Sequence, residues 1–176
     1  ARGRAEGVAV QAYLAVAVEC PFEGAVDPAF VTGLVAQLQE AGASLLVIAD
    51  TIGAANPVQV RTLMGELVGA HGVGALACHF HDTRALGLTN VYAALEAGVR
   101  RFDASAGGLG GCPFAPGARG NVATEDVAML CEQLGLPTGI DMAALLGVVD
   151  LIGDMLGRPQ GGRAAEWLRG RLATAA

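Results

Sequence analysis

The sequence predicts an α/β fold of parallel strand–helix repeats, and three observations predict it. Short apolar runs alternate with segments of helical periodicity along most of the 176 residues. The apolar runs lack the polar alternation of a half-wet sheet and read as strands covered on both faces. Helical segments with their own start and stop signals separate them, so successive strands must run parallel and connect by right-handed crossovers.

The elements follow in order. Val10 to Val18 reads as the first strand. Asp27-Pro28 starts a helix, with the carboxylate as N-cap and proline at the first helical position. Phe30, Val31, Leu34, Val35 and Leu38 form its apolar stripe, and Gly42 ends it. Ser44 to Ala49 is the second strand. Asn56-Pro57 repeats the start signal, and Val60, Leu63, Met64 and Leu67 give the next stripe. Gly74 to Phe80 is the third strand. Leu88, Val91, Tyr92 and Leu95 mark a helix that stops at Gly98, and Val99 to Ala104 is the fourth strand. A Gly-rich loop runs from Ser105 to Asn121. Thr124-Glu125-Asp126 opens a helix with acidic residues at its positive end, and Gly135 stops it. Asp141 caps a further helix, with Leu145, Leu146, Val149 and Ile152 inward. The tail from Gly161 reads as a short helix carrying Trp167 and Leu168. Phe30, Met64 and Tyr92 lie on helix stripes and are expected in the core.

A doubly wound sheet and a (β/α) barrel both satisfy this rhythm, and the polar residues arbitrate. Glu19-Cys20, Asp50-Thr51, His79 to His81 and Asp103 to Ser105 each close an apolar run. In a barrel those C-terminal ends converge on one mouth, where chemistry is done. A full barrel has eight strands in about 250 residues. Four are counted here, so the expectation is one partial TIM-barrel domain over residues 1–176.

Composition narrows the function classes. The net charge is −6 and all eleven basic residues are arginines without a stripe, which argues against nucleic-acid binding. No run reaches 18 apolar residues, so no membrane span is expected. Cys20, Cys78, Cys112 and Cys131 show neither CxxC nor zinc-finger spacing, and reduced thiols in a bacterial cytoplasm are the expectation. A chain that begins at Ala1 without Met leaves an upstream targeting segment open.

The stretch His79-Phe80-His81-Asp82-Thr83 carries the strongest chemical signal. Residues two apart on a strand share a face, so both imidazoles leave one face at the end of a buried run. Neutral imidazole is a common ligand for divalent cations. Read alone, the pair fits a metal site and ordinary polar strand-end residues equally well.

With these pieces placed, the sequence resembles hydroxymethylglutaryl-CoA lyase, a metal-dependent lyase and aldolase group on a (β/α)₈ barrel. The matching motifs are Cys20-Pro21-Phe22-Glu23-Gly24, Asp50-Thr51-Ile52-Gly53, the His-x-His stretch, Gly107-Gly108-Leu109-Gly110-Gly111-Cys112-Pro113-Phe114-Ala115, and Gly120-Asn121-Val122-Ala123-Thr124-Glu125-Asp126. The resemblance covers nearly the whole chain as the family's C-terminal half, about strands five to eight plus the C-terminal helices. It implies His79, His81 and Asn121 as metal ligands, with Mg²⁺ or Mn²⁺ as the cation. It also implies Cys112 as the active-site thiol, Asp50 near the substrate hydroxyl, and catalytic weight on Cys112, Asp50 and His79. The implied reaction is retro-Claisen cleavage of 3-hydroxy-3-methylglutaryl-CoA to acetyl-CoA and acetoacetate, with a related acyl-CoA close behind.

Alternatives stand beside these roles. Asn121 could cap a helix, Cys112 could be inert or pair with Cys131, Asp50 could cap the turn after it, and Asp82 could support a loop. The family's Arg-Asp pair and second-strand glutamate have no counterpart here, and Ala49 stands where glycine usually precedes the aspartate. The expected partners are a second copy of the chain or a missing N-terminal half, and cleavage is expected if that half is supplied. The competing expectation is a non-catalytic half-barrel whose unclosed strands pair with another chain.

Overall fold

A computed structural model of the chain describes residues 2–111 and 120–175. Its strands are β1 (Gln11–Leu14), β2 (Glu19–Cys20), β3 (Gly24–Ala25), β4 (Leu45–Asp50), β5 (Leu76–Phe80) and β6 (Phe102–Asp103). The main helices are α2 (Pro28–Glu40), α3 (Pro57–His71), α4 (Gly87–Glu96), α5 (Thr124–Gln133), α6 (Met142–Leu156) and α7 (Ala165–Ala175), after a one-turn α1 (Arg2–Ala5). The sheet order is β1-β4-β5-β6, and every pairing in it is parallel. Spatial order follows chain order without reversal. That is the wall of a barrel, because a doubly wound sheet reverses at a switch point. The α/β half-barrel expected from the sequence is therefore the observed architecture.

Strand register separates two faces. Leu14, Ile48, Cys78 and Phe102 form one cross-sheet row, and this row belongs to the main apolar core. Val31 and Val35 of α2, Leu63 and Leu67 of α3 and Val91 of α4 pack into the same core, so this is the helix-covered face. Ala49, His79 and Asp103 form the alternate row on the opposite face. Leu146, Ala165 and Leu168 build a smaller cluster between α6 and α7.

Start signals work as written in the sequence. Asp27 accepts from the Ala29 amide, and Asp141 from the Ala144 amide. Asn56 forms a reciprocal box with Gln59, an arrangement that contributes about 1 kcal/mol to a helix end.

Three expectations change. The first strand ends at Leu14 instead of Val18. Val16 adopts a left-handed φ of 51°, its amide donates to Thr51 Oγ1 at 2.8 Å, and the chain turns into the small β2–β3 hairpin. A continuous apolar run carries no mark of where its backbone leaves the ladder. The fourth strand contracts from Val99–Ala104 to two paired residues. Phe30 and Tyr92 are 62% and 42% exposed rather than core, because helical spacing fixes the side of a residue but not how far its neighbours reach over it. Among the described residues, no helix is long and apolar enough to cross a membrane.

Candidate metal centre

The site grows from the C-terminal end of β5. Alternation puts His79 and His81 on the concave face, and their ring centroids lie 5.2 Å apart at 62°. After β5 the chain meets the segment that precedes α5. His81 forms an antiparallel bridge with Asn121, flanked by Val122 N donating to Phe80 O at 3.0 Å and Asp82 N donating to Gly120 O at 3.1 Å. Directly opposed residues of an antiparallel pair share a face. Sequence spacing thus supplies two groups, and one backbone bridge brings in the third from 40 positions on.

Each of the three is fixed differently. His79 Nδ1 meets Asp103 Oδ1 in a short hydrogen bond. A carboxylate only accepts, so Nδ1 carries the proton and Nε2 faces elsewhere. His81 is 6% exposed. Asn121 Nδ2 donates to Leu109 O at 2.8 Å. Its Oδ1 is buried with no hydrogen-bond partner among the described residues. The helix-cap alternative fails, because the N-cap of α5 is Ala123.

Fit to a cation follows from these atoms. A buried amide oxygen without a donor carries a desolvation cost of about 1–3 kcal/mol, and a cation removes it. Imidazole nitrogens and an amide oxygen suit a divalent ion of intermediate hardness. Among the described residues no group of three His, Cys, Asp or Glu side chains is placed to hold a metal. None of the three side chains is a carboxylate, and their fit is to a cation that draws further ligands from elsewhere.

Two residues that sequence reasoning gave no role complete the cluster. Tyr13 donates its hydroxyl to Asp103 Oδ2 in a short hydrogen bond, and Gln11 Nε2 donates to that hydroxyl oxygen at 3.0 Å. The Tyr13 ring stands edge-on to His79 at 6.3 Å. β1 and β6 are the two edges of the sheet, so this contact closes across the concave face. Burial alone would raise the Asp103 carboxyl, but the His79 and Tyr13 hydrogen bonds outweigh it and hold the group below the usual carboxylate range. The same carboxylate raises the Tyr13 phenol, first through the hydrogen bond and then through burial and charge. Gln11 and Tyr13, two apart with polar tips in an apolar strand, were the available signal.

Asp50 departs from its expected place. It is 2% exposed and pairs with Phe80 in the row opposite to Ala49 and His79. Its oxygens accept from Ala54 N at 2.8 Å and Ala55 N at 3.0 Å. The turn-capping alternative describes these contacts. Burial pushes its carboxyl up, against the two amides and the nearby Arg84 and His81. Glycine is required in this turn: Gly53 has φ +66°, and a Cβ there would stand 2.9 Å from Thr83 Oγ1. Asp82 supports its loop by accepting from Gly87 N at 2.8 Å. Cys78 is core, and burial drives its thiol far upward. Cys112, the expected thiol, lies outside the described residues.

Comparison with known proteins bears on the family and the fold. The family model described as HMGL-like matches residues 4–152. The chain is 44% identical over 149 residues to a hydroxymethylglutaryl-CoA lyase of Bacillus subtilis, covering 85% of this chain and 50% of that protein. It is 41% identical over 156 residues to an (R)-citramalyl-CoA lyase of Chloroflexus aurantiacus, covering 89% and 49%. A solved HMG-CoA lyase of Acinetobacter baumannii, in complex with coenzyme A and 3-methylmalate, superposes with a TM-score of 0.84 at 45% identity, covering 89% of this chain and 51% of that one. The chain spans about half the length of the curated relatives it matches. With a family model matched over most of its residues and a barrel wall that carries the paired histidines, the chain belongs to the HMGL-like family.

Proposed function

We propose that this chain supplies the cation-binding and thiol-bearing half of a carbon–carbon lyase acting on 3-hydroxy-3-methylglutaryl-CoA. The observation that carries the reading is the backbone bridge that sets Asn121 opposite His81, whose ring lies 5.2 Å from that of His79, with Asn121 Oδ1 buried and without a hydrogen-bond partner among the described residues. His79, His81 and Asn121 would hold Mg²⁺ or Mn²⁺, which supplies Lewis acidity toward the substrate's 3-hydroxyl. A carboxylate ligand and the groups that read the acyl chain come from outside these 176 residues.

The reaction balances simply. The hydroxyl proton leaves, the oxygen's electron pair forms a ketone at C3, the C2–C3 bond breaks, and C2 of the acetyl thioester takes a proton. Cys112 is the proton donor in this reading, with a thiol suited to the task when its pKa lies near neutrality. Gly107, Gly108 and Gly110, all at positive φ, turn the preceding loop so that the Leu109 carbonyl meets Asn121. Asp50 enters as the residue that holds the turn after β4. The Chloroflexus relative favours a second substrate of the same chemistry, a citramalyl thioester.

The test is a lyase assay with Mg²⁺ on this chain alone and with the N-terminal half of the Bacillus relative added. The expected result is cation-dependent acetyl-CoA release in the complemented mixture, abolished by Cys112→Ala. No release from either thioester after complementation would refute the reading.

A further inference from the structure

Resting on the cation reading above, we propose that Asp103 and Tyr13 are positioning residues that fix the tautomer and ring plane of His79, so that Nε2 is the nitrogen offered to the cation. The juxtaposition is a relay across the sheet. Gln11 donates to Tyr13, Tyr13 donates to Asp103 Oδ2, and His79 Nδ1 donates to Asp103 Oδ1. Both carboxylate oxygens are occupied by different strands, one from β1 and one from β5. A carboxylate held at both oxygens cannot rotate about its own axis without breaking one bond. It therefore dictates the plane of the imidazole it accepts from.

The inner row explains why the relay can form. Ala49 and Ala77 are the small residues of β4 and β5 on this face, and both are buried. Their methyl groups leave room for the Tyr13 ring to reach the far edge. The ring also rests edge-on to His79, so one residue both anchors the carboxylate and limits imidazole rotation. A carboxylate behind a ligating imidazole typically changes metal affinity by about 10–100-fold.

Long-range ¹H–¹⁵N correlation spectra of the metal-free chain at pH 8, with Mn²⁺ titration followed by EPR, test the proposal. In the wild-type chain His79 should be protonated at Nδ1 and bare at Nε2. Asp103→Asn presents an amide that can donate to Nδ1. It should move His79 toward the Nε2–H tautomer and weaken Mn²⁺ binding at least tenfold, with an unchanged far-UV circular dichroism spectrum. Tyr13→Phe removes one anchor, and should keep the tautomer while weakening Mn²⁺ about two- to fivefold. A wild-type Nε2–H tautomer overturns the proposal without any variant. So does an unchanged Mn²⁺ affinity in both variants while the wild type binds. Mn²⁺ that binds neither the wild-type chain alone nor the chain with the N-terminal half of the Bacillus relative added refutes the cation reading itself and the proposal with it.

Discussion

Two carboxylate clusters flank the C-terminal ends of the strands, and they differ in what they leave open. On the concave face, Asp103 binds one tyrosine and one histidine, and beside them Asn121 Oδ1 is buried without a hydrogen-bond partner among the described residues. At the start of α5, Glu125 is 0% exposed. It accepts from Gly107 N at 3.0 Å and Gly162 N at 2.6 Å. Asp126 beside it accepts from Arg163 N at 2.8 Å and Ala164 N at 2.9 Å. All four of those oxygens meet backbone amides, so the pair staples the 162–164 segment before α7 to the glycine loop. A buried charge saturated by backbone amides holds structure together. A buried polar group left with an open atom is a place where a ligand can bind.

Substitutions should separate the two clusters by readout. The largest effect belongs to the open one: His79→Ala should weaken Mn²⁺ binding by more than about 100-fold, beyond the range for indirect residues, with the thermal midpoint little changed. Calorimetric titration and a melt on the same sample check both halves of the statement. Next comes the closed cluster. Glu125→Ala leaves two half-buried amides unpaired and should cost about 3 kcal/mol in urea unfolding. A variant as stable as the wild type would remove the contrast. Gly53→Ala follows, at about 1–2 kcal/mol from its left-handed backbone, measured in the same way.

The smallest effect is a pH dependence. Burial raises the Asp126 carboxyl, and the Glu125 and Asp82 charges add to this against its two amide bonds. A raised folded-state value means the fold binds the proton more tightly than the open chain does. This contribution to stability is present below the ordinary aspartate pKa and fades as pH rises through the higher folded value. The stability gap between wild type and Asp126→Asn should therefore narrow from pH 4 to pH 7. A gap that widens would contradict it.

Sequence pattern made the architecture legible because buried parallel strands, capped helices and polar strand ends each leave a local mark. The His-x-His spacing and the Asn121 segment were legible for the same reason, together with family resemblance. Tyr13 and Asp103 were not read as partners, since 90 residues separate them and only the closed curvature of the sheet brings them together. Asp50 caps the turn after β4, and a strand-end carboxylate looks alike in sequence whether it does this or faces the mouth. One residue of alternation decides, and the ladder with Phe80 settles the parity.

The central claim is that His79, His81 and Asn121 share one cation. Pulsed EPR of the chain loaded with Mn²⁺ tests it most directly, because the spin reports which nitrogens touch the ion. The account predicts coupling to two imidazole nitrogens, reduced to one in His81→Ala. A bound Mn²⁺ without histidine coupling would contradict it.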